Sequence, residues 1–444
     1  MARARGLRLA RAPRANQSGS PNHRLRRWLA AELRRLSPVI AVSAAECHAD
    51  RYRKHFTSFA HACLLLFHGL SQGRSLTQSY GAFGACAGLL ALSGLAVTAD
   101  PTDERIGVSF SQFAASNTSR PSDFLAGVVE VLATRVRELG GPAKPRVLAD
   151  VQILDGTFLR LSLKLATWLP NRDPSDIPGV RLHLQYAPAD DIPTSLQVTD
   201  SHTAEREVFD ALLDDPAGPP PTWIGQTLVV DLGYYGHRRF ARLLQGGVHL
   251  VSRLHSQAAF VVIADRPVQS PLPHLPALRI QIQTDQQIIL GSPDNTTGAV
   301  LPDLRLVTAT VLPVPKAAGA RAKPVVYRLI TDRWDLTAAE VVQIYLWRWQ
   351  IELFFRWLKR HVHLLRVLGY SRAALELTVW LSIIVHLLTV LAAHALGLTR
   401  RSPLILARCA GILVHLTSED LRPEQPLVYQ LAFGETPLPC GASP

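Results

Sequence analysis

Hydrophobic and polar positions change their period along this 444-residue chain. Between residues 57 and 95 apolar side chains recur in helical blocks, over 59–70, then 73–79, then 80–95. Ser75 stands just before Leu76 as a helix N-cap. Residues 108–121 lead into an amphipathic helix that ends near Leu139. Gly140, Gly141, Pro142 and Pro145 then mark a linker. Beyond it the period becomes two. Residues 147–157 run apolar and close on Asp155 followed by Gly156, and 158–169 alternate leucine with Arg, Ser and Lys. Residues 181–186 alternate as well. A helix around 204–213 and a proline-rich loop at 215–221 follow. The buried strand 227–231 ends on Asp231, with Gly233 behind it, and a basic helix over 236–244 precedes another strand near 248–254.

From 254 to 326 the chain stays strand-like, at 258–264, 278–283, 287–290, 304–312 and 324–329. That is too long and too regular for a loop. Thr337 and Glu340 predict a capping box at the next helix start. Residues 345–359 read as one helix, apolar over most of its circumference and therefore buried. At about 100° per residue, Tyr345, Arg348, Glu352 and Lys359 share an arc of roughly 60°, with Arg356 and Arg360 just beyond one edge. Residues 375–396 are long and apolar enough to span a bilayer. They contain Glu376, His386 and His394, so a buried helix backing the sheet is expected, with no stable membrane association. From Ser402 there is one more apolar helix and a proline-rich end.

Charge narrows the range of partners. The net charge of +12 and pI near 9.9 favour a polyanion, either nucleic acid or an anionic membrane surface. Ten arginines in the first thirty-five residues face one acid, Glu32. This reads as a solvated arm in which residues 23–36 could form a helix. No apolar stretch follows it closely enough to predict a signal peptide. The five cysteines are scattered without a Cys-x-x-Cys pair, which argues against a disulfide framework or a zinc site and fits a reducing cytoplasm. His55, His68, His202, His237 and His363 show no metal-ligand spacing.

The polar seam carries the chemistry. One acid, Glu352, among several cations and a phenol exceeds what simple pairing needs. It suits a site that holds a metal ion and a phosphate together. The spacing Tyr345-x2-Arg348-x3-Glu352-x6-Lys359 resembles the signature of insertion-sequence transposases with a DDE catalytic triad, in their Tyr-Arg-Glu-Lys, insertion-sequence-4-like branch. Asp155 with Gly156 and Thr157, and Asp231 with Leu232, Gly233, Tyr234 and Tyr235, resemble the first two acid motifs. The nearest competitor, Asp150, has the opposite alternation phase to Asp155.

The resemblance implies an α/β, RNase H-like catalytic core interrupted by a β-rich insertion and preceded by a helical DNA-binding domain. The boundaries expected are a basic, disordered arm at 1–38 and a DNA-end-binding region at 39–145. Core segments at 146–253 and 331–398 flank an insertion at 254–330, and a tail occupies 399–444. It further implies catalysis and metal binding by Asp155, Asp231 and Glu352, and DNA contact by Tyr345, Arg348, Arg356, Lys359 and Arg360. The implied cofactor is Mg²⁺, with Mn²⁺ as a substitute. The implied partner is double-stranded DNA, bound by a homodimer acting in the cytoplasm at the nucleoid. The function expected is binding of terminal repeats, metal-dependent cleavage and strand transfer. A metal-dependent nuclease without strand transfer and a catalytically silent DNA-binding protein remain as alternatives.

Overall fold

The computed structural model describes residues 21–416, except 52–54, 72–73, 96–106, 140–144, 162–167, 170–177, 216–217, 269–277, 293–298, 314–322, 363 and 399–401. Most of the first arm, most of the 140–145 linker, part of the 158–169 alternation and the end of the tail lie outside the described residues. Six helices come first: α1 (Pro21–Glu46), α2 (Ser58–Leu70), α3 (Leu76–Gly84), α4 (Ala87–Ser93), α5 (Phe110–Ser119) and α6 (Ala126–Glu138). Ser75 caps α3 as expected, with Gln78 completing the box. Then follow β1 (Val151–Arg160), β2 (Gly179–Ala187), β3 (Ile192–Asp200), α7 (Glu205–Leu213), β4 (Thr227–Val230), α8 (His237–Gln245) and β5 (His249–Arg253). The chain continues with β6 (Phe260–Asp265), β7 (Leu278–Leu290), β8 (Leu301–Pro313) and β9 (Val325–Thr331). It closes with α9 (Ala338–Trp347), α10 (Trp349–His361), α11 (Arg372–Ala395) and α12 (Pro403–Val414).

The strands form one nine-stranded sheet in the order β3-β2-β1-β4-β5-β9-β8-β7-β6. β1 to β3 form an antiparallel meander, while β1, β4 and β5 run parallel. The β-rich stretch extends the same sheet, with β9 antiparallel to β5 and β8, β7 and β6 following outward. The two faces bury separate apolar sets because alternate residues point to opposite sides. Ile153, Val229 and Val251 join the helices from both ends of the chain. Leu154, Leu228, Val230 and Leu250 pack under α7 and α8.

Three expectations are corrected. Residues 158–160 continue β1 instead of opening a strand of their own, the alternation at 181–186 lies in β2 as expected, and β3 was not anticipated. The basic arm does not extend to residue 38. Pro21 opens a 26-residue helix, since proline is tolerated in a first helical turn, and Leu25, Leu29, Leu33, Leu36 and Ile40 bury one stripe of it. α11 is enclosed mainly by α2, α5, α6 and α12, and among the described residues its main contact with the sheet is β3. Its most apolar stretch is 83% buried. Burial among helices on all sides accounts for a helix that is apolar all round.

The start of α9 is held by a buried ion pair on the extended sheet. Arg305 on β8 makes a two-pronged contact with Asp285 on β7, at 2.8 and 2.7 Å. Its other amine donates to the carbonyls of Arg333 (3.1 Å) and Leu336. Breaking such a pair leaves an uncompensated buried charge, which costs about 3–5 kcal/mol. Arg305→Leu should therefore lower unfolding stability by that order in urea titration, and a loss below about 1 kcal/mol would contradict the role given to the pair.

Candidate active site

The parallel register pairs Val151 with Thr227 and Ile153 with Val229. Continued by two residues, it sets Asp155 beside Asp231. Asp231 stands just past the end of β4, as expected. Asp155 does not end its strand: β1 runs on to Arg160 because β2 pairs it that far. It is exposed to a cleft only because its other neighbour, β4, stops. Two backbone amides orient these carboxylates. Gly156 N–H donates to Asp155 Oδ1 (2.8 Å), and Gly233 N–H donates to Asp231 Oδ1 (2.7 Å). Asp150, the competitor, lies at the opposite end of β1, bonded to Thr227 Oγ1 (3.1 Å) and to Arg333.

The expected single helix at 345–359 is two helices joined by a tight turn at Arg348. Arg348 N–H bonds the carbonyl of Tyr345, and Ile351 N–H bonds the carbonyl of Arg348, a three-residue spacing that winds the chain more tightly than an α-helix. The Arg348 guanidinium reaches Asp155 Oδ2 at 3.0 Å and Glu352 Oε1 at 2.7 Å. It thus bridges the first and third of the sequence-predicted acids. Lys359, two turns on, donates to Thr157 Oγ1 (2.7 Å) and to the Phe158 carbonyl (3.1 Å), which ties α10 to β1. Desolvation lowers its pKa. Phe354 seats α10 from the other side, against Tyr186 and His386.

Asp155, Asp231, Arg348, Glu352, Arg356, Lys359 and Arg360 line one open cleft of about 470 Å³, with Gly156, Thr157 and Phe355. Tyr345 does not line the cleft, but it stands beside it, close to Arg348 and within electrostatic reach of Asp231. It is 5% exposed, its ring packs on Tyr327, and burial pushes its phenol up to about 12.

A further acid was missed. Glu205, in the first turn of α7, approaches the two acid motifs from the opposite face of the sheet. A Cβ on Gly156 would lie 2.6 Å from Glu205 Oε1, and one on Gly233 would lie 2.9 Å from Oε2. Arg181 on β2 holds that carboxylate at 3.1 Å. The sequence offers only an acid at a helix start, where the dipole alone explains it. Tyr234 is buried nearby, and its hydroxyl has no hydrogen-bond partner among the described residues.

Burial pushes Asp155 up to about 7; Arg348 opposes this, while Asp231 and Glu205 add to it. Carboxylates sharing a cleft with several cations are the donor type that a hard divalent ion takes. Among the described residues no three acids, histidines or cysteines stand close enough to hold one as placed. The guanidinium of Arg348 takes the position between Asp155 and Glu352. Asp155 and Asp231 face the same cleft, while Glu352 is held by Arg348 at 2.7 Å.

The family model described as "Transposase DDE domain" matches residues 148–388, more than half of the chain. The chain belongs to the transposase DDE domain family. Its matched segment runs from just before β1 into α11 and so contains every cleft residue. Among curated relatives of this transposase, it is 24% identical to a putative transposase, y4zB, of Sinorhizobium fredii over 63% of this chain and 70% of that protein. It is 22% identical to a probable transposase for insertion sequence element IS5377 of Geobacillus stearothermophilus, over 54% of this chain and 55% of that protein. Among solved structures, the cryo-EM piggyBac transposase synaptic complex with hairpin DNA aligns over 94% of this chain and 87% of that one, at 11% identity and a TM-score of 0.40.

The contact between Glu205 and Gly156 gives a stability prediction. Gly156→Ala should cost about 1–3 kcal/mol, the usual range for overpacking. In a Glu205→Ala background the same change should cost close to nothing, because the clashing carboxylate is gone. Equal costs in both backgrounds, measured by a double-mutant denaturation cycle, would show that the two residues do not oppose each other.

Proposed function

We propose that this DDE transposase belongs to the Tyr-Arg-Glu-Lys branch, binds the terminal repeats of an insertion sequence, cleaves DNA at the element ends and joins them to target DNA. The observation that carries the reading is the meeting of Asp155, Asp231 and Glu352 in one cleft with Arg356, Lys359 and Arg360. Acids that bind a divalent ion and cations that grip a phosphodiester serve the same substrate. The RNase H-like order of the first five strands supports it, because it sets Asp155 beside Asp231.

Asp155 and Asp231, joined by Glu352, would hold the divalent ions, Mg²⁺ in the first instance with Mn²⁺ as a substitute. Such ions activate a water or a 3′-hydroxyl and stabilise the departing oxygen. Arg348 offsets the charge of Asp155 and Glu352 and is free to turn to a phosphate once those acids bind a cation. Arg356 and Arg360 present charge along the cleft, while Lys359 fixes the distance between α10 and β1 and so positions the reacting phosphodiester. In hydrolysis the bond from phosphorus to the 3′ oxygen breaks, leaving a 3′-hydroxyl and a 5′-phosphate. That hydroxyl then attacks a target phosphodiester and exchanges one ester bond for another.

A nuclease that stops after cleavage would need the same acids, so the deciding assay is joining. Wild-type protein with labelled terminal-repeat DNA, Mg²⁺ and a target plasmid should yield nicked ends and then joined products. Asp155→Ala, Asp231→Ala and Glu352→Ala should each reduce both by at least about 10³-fold while leaving end binding within a few-fold, since groups that act as a unit fail together. An alanine variant that cuts at the normal rate would remove that residue from the site. Cutting without any joined product would favour the nuclease.

A further inference from the structure

Behind the two acid motifs, Glu205 faces both of them at once. The glycine that follows Asp155 and the glycine two residues past Asp231 each leave room for one of its oxygens. A Cβ on Gly156 would meet Glu205 Oε1 at 2.6 Å, and one on Gly233 would meet Oε2 at 2.9 Å. The same two glycines orient the acids through their amides, at 2.8 Å to Asp155 and 2.7 Å to Asp231. Glu205 is thereby set in register with both carboxylates, although it does not line the cleft itself. Helix-start chemistry does not require this, since Glu207 already places an acid in the first turn of α7.

Tyr234 adds an independent observation. It is 1% exposed, and its hydroxyl has no hydrogen-bond partner among the described residues. Burial, then the charges of Glu205, Asp155 and Asp231, hold its pKa well above the ordinary phenol range. The hydroxyl keeps its proton and stands within electrostatic reach of three carboxylates while bonded to none. A polar group buried in this way ordinarily has a partner, in the protein or in ordered water. The charges in contact are uneven as well. Arg181 meets Glu205, and Arg348 meets Asp155 and Glu352. With Asp231, the ionised carboxylates number four against those two guanidiniums, which leaves the charge that one divalent ion would balance.

We propose that Glu205 is a positioning residue for the catalytic divalent ion, holding with the Tyr234 hydroxyl the water shell of the ion that Asp155 and Asp231 bind. This rests on the reading that the two aspartates are metal ligands. Mg²⁺ gives up water reluctantly and keeps several molecules when one or two carboxylates bind it. Those waters donate hydrogen bonds, and Glu205 offers them acceptor oxygens fixed to both aspartate turns. The Tyr234 hydroxyl donates to a water of the outer shell and so gains the partner it lacks. Arg181 holds the Glu205 carboxylate in place without consuming both of its oxygens.

The test is Mn²⁺ binding to the full chain, followed by electron paramagnetic resonance of the free ion beside a melting curve. Glu205→Gln keeps the size of the side chain and removes its charge. It should weaken Mn²⁺ binding by about 10-fold or more, the usual scale for an outer-shell partner, with a melting temperature close to wild type. Tyr234→Phe breaks no hydrogen bond among the described residues, and it should weaken binding a few-fold without lowering the melting temperature. If Glu205 serves only α7 and Arg181, Glu205→Gln lowers the melting temperature and leaves the Mn²⁺ affinity of the folded protein intact. That result overturns the proposal. Should Glu205→Gln not fold, Tyr234→Phe decides, and an unchanged affinity there overturns it too. Loss as complete as in Asp231→Ala would make Glu205 a direct ligand and overturn the role given to water. Loss in Asp231→Ala with wild-type affinity in Glu205→Gln removes the proposal and leaves the aspartate reading standing. Wild-type affinity in all three variants removes both.

Discussion

The site depends on one electrostatic constraint. Asp155 is a carboxylate in the middle of a central strand, with its side chain largely buried. Asp231 and Glu205 lie near enough to oppose its ionisation. A group so placed must take a proton or gain positive charge beside it. Arg348 supplies that charge, and it does so by leaving the regular path of the helix. The tight turn between α9 and α10 lets one guanidinium reach both Asp155 and Glu352. The third acid is thereby held over the sheet although it lies nearly two hundred residues from the first.

Much of the remaining fold keeps that turn in register with the strand ends. Arg305, rooted in the extended part of the sheet, grips the chain just before α9. Lys359 ties α10 to β1, and Phe354 fills the space between β2 and α11. The amino-terminal helices share their core with α11 and α12. The region expected to meet DNA and the helix carrying Glu352 therefore rest on one apolar layer, with α11 between them.

The local signals legible in the sequence are those set by local physics. Apolar runs mark β1 and β4, period two marks β2, the boxes at Ser75 and Thr337 mark helix starts, and the cations around Glu352 mark the cleft. The features that escaped reading depend on contacts between distant segments. Asp155 looks like a strand end from the sequence, yet it is opened to the cleft by the end of β4. Tyr345 follows an ideal helical projection onto the seam and stays close to Arg348, yet its ring is buried against Tyr327, a contact between distant segments. Glu205 carries no sequence signal beyond its place at a helix start, and its role comes from two glycines brought beneath it by the sheet. β3 was missed because much of it faces outward and shows little apolar alternation.

The central claim is that Asp155, Asp231 and Glu352 share divalent ions between them. The most direct measurement is backbone scission by Fe²⁺ bound in place of the native ion, in the presence of a DNA end, ascorbate and peroxide, with the cut positions read by mass spectrometry. The account predicts cuts clustered near residues 155, 231 and 352, suppressed by excess Mg²⁺ and absent in Asp231→Ala. Scission confined to other parts of the chain, or cuts at these positions that neither Mg²⁺ nor the substitution suppresses, would contradict it.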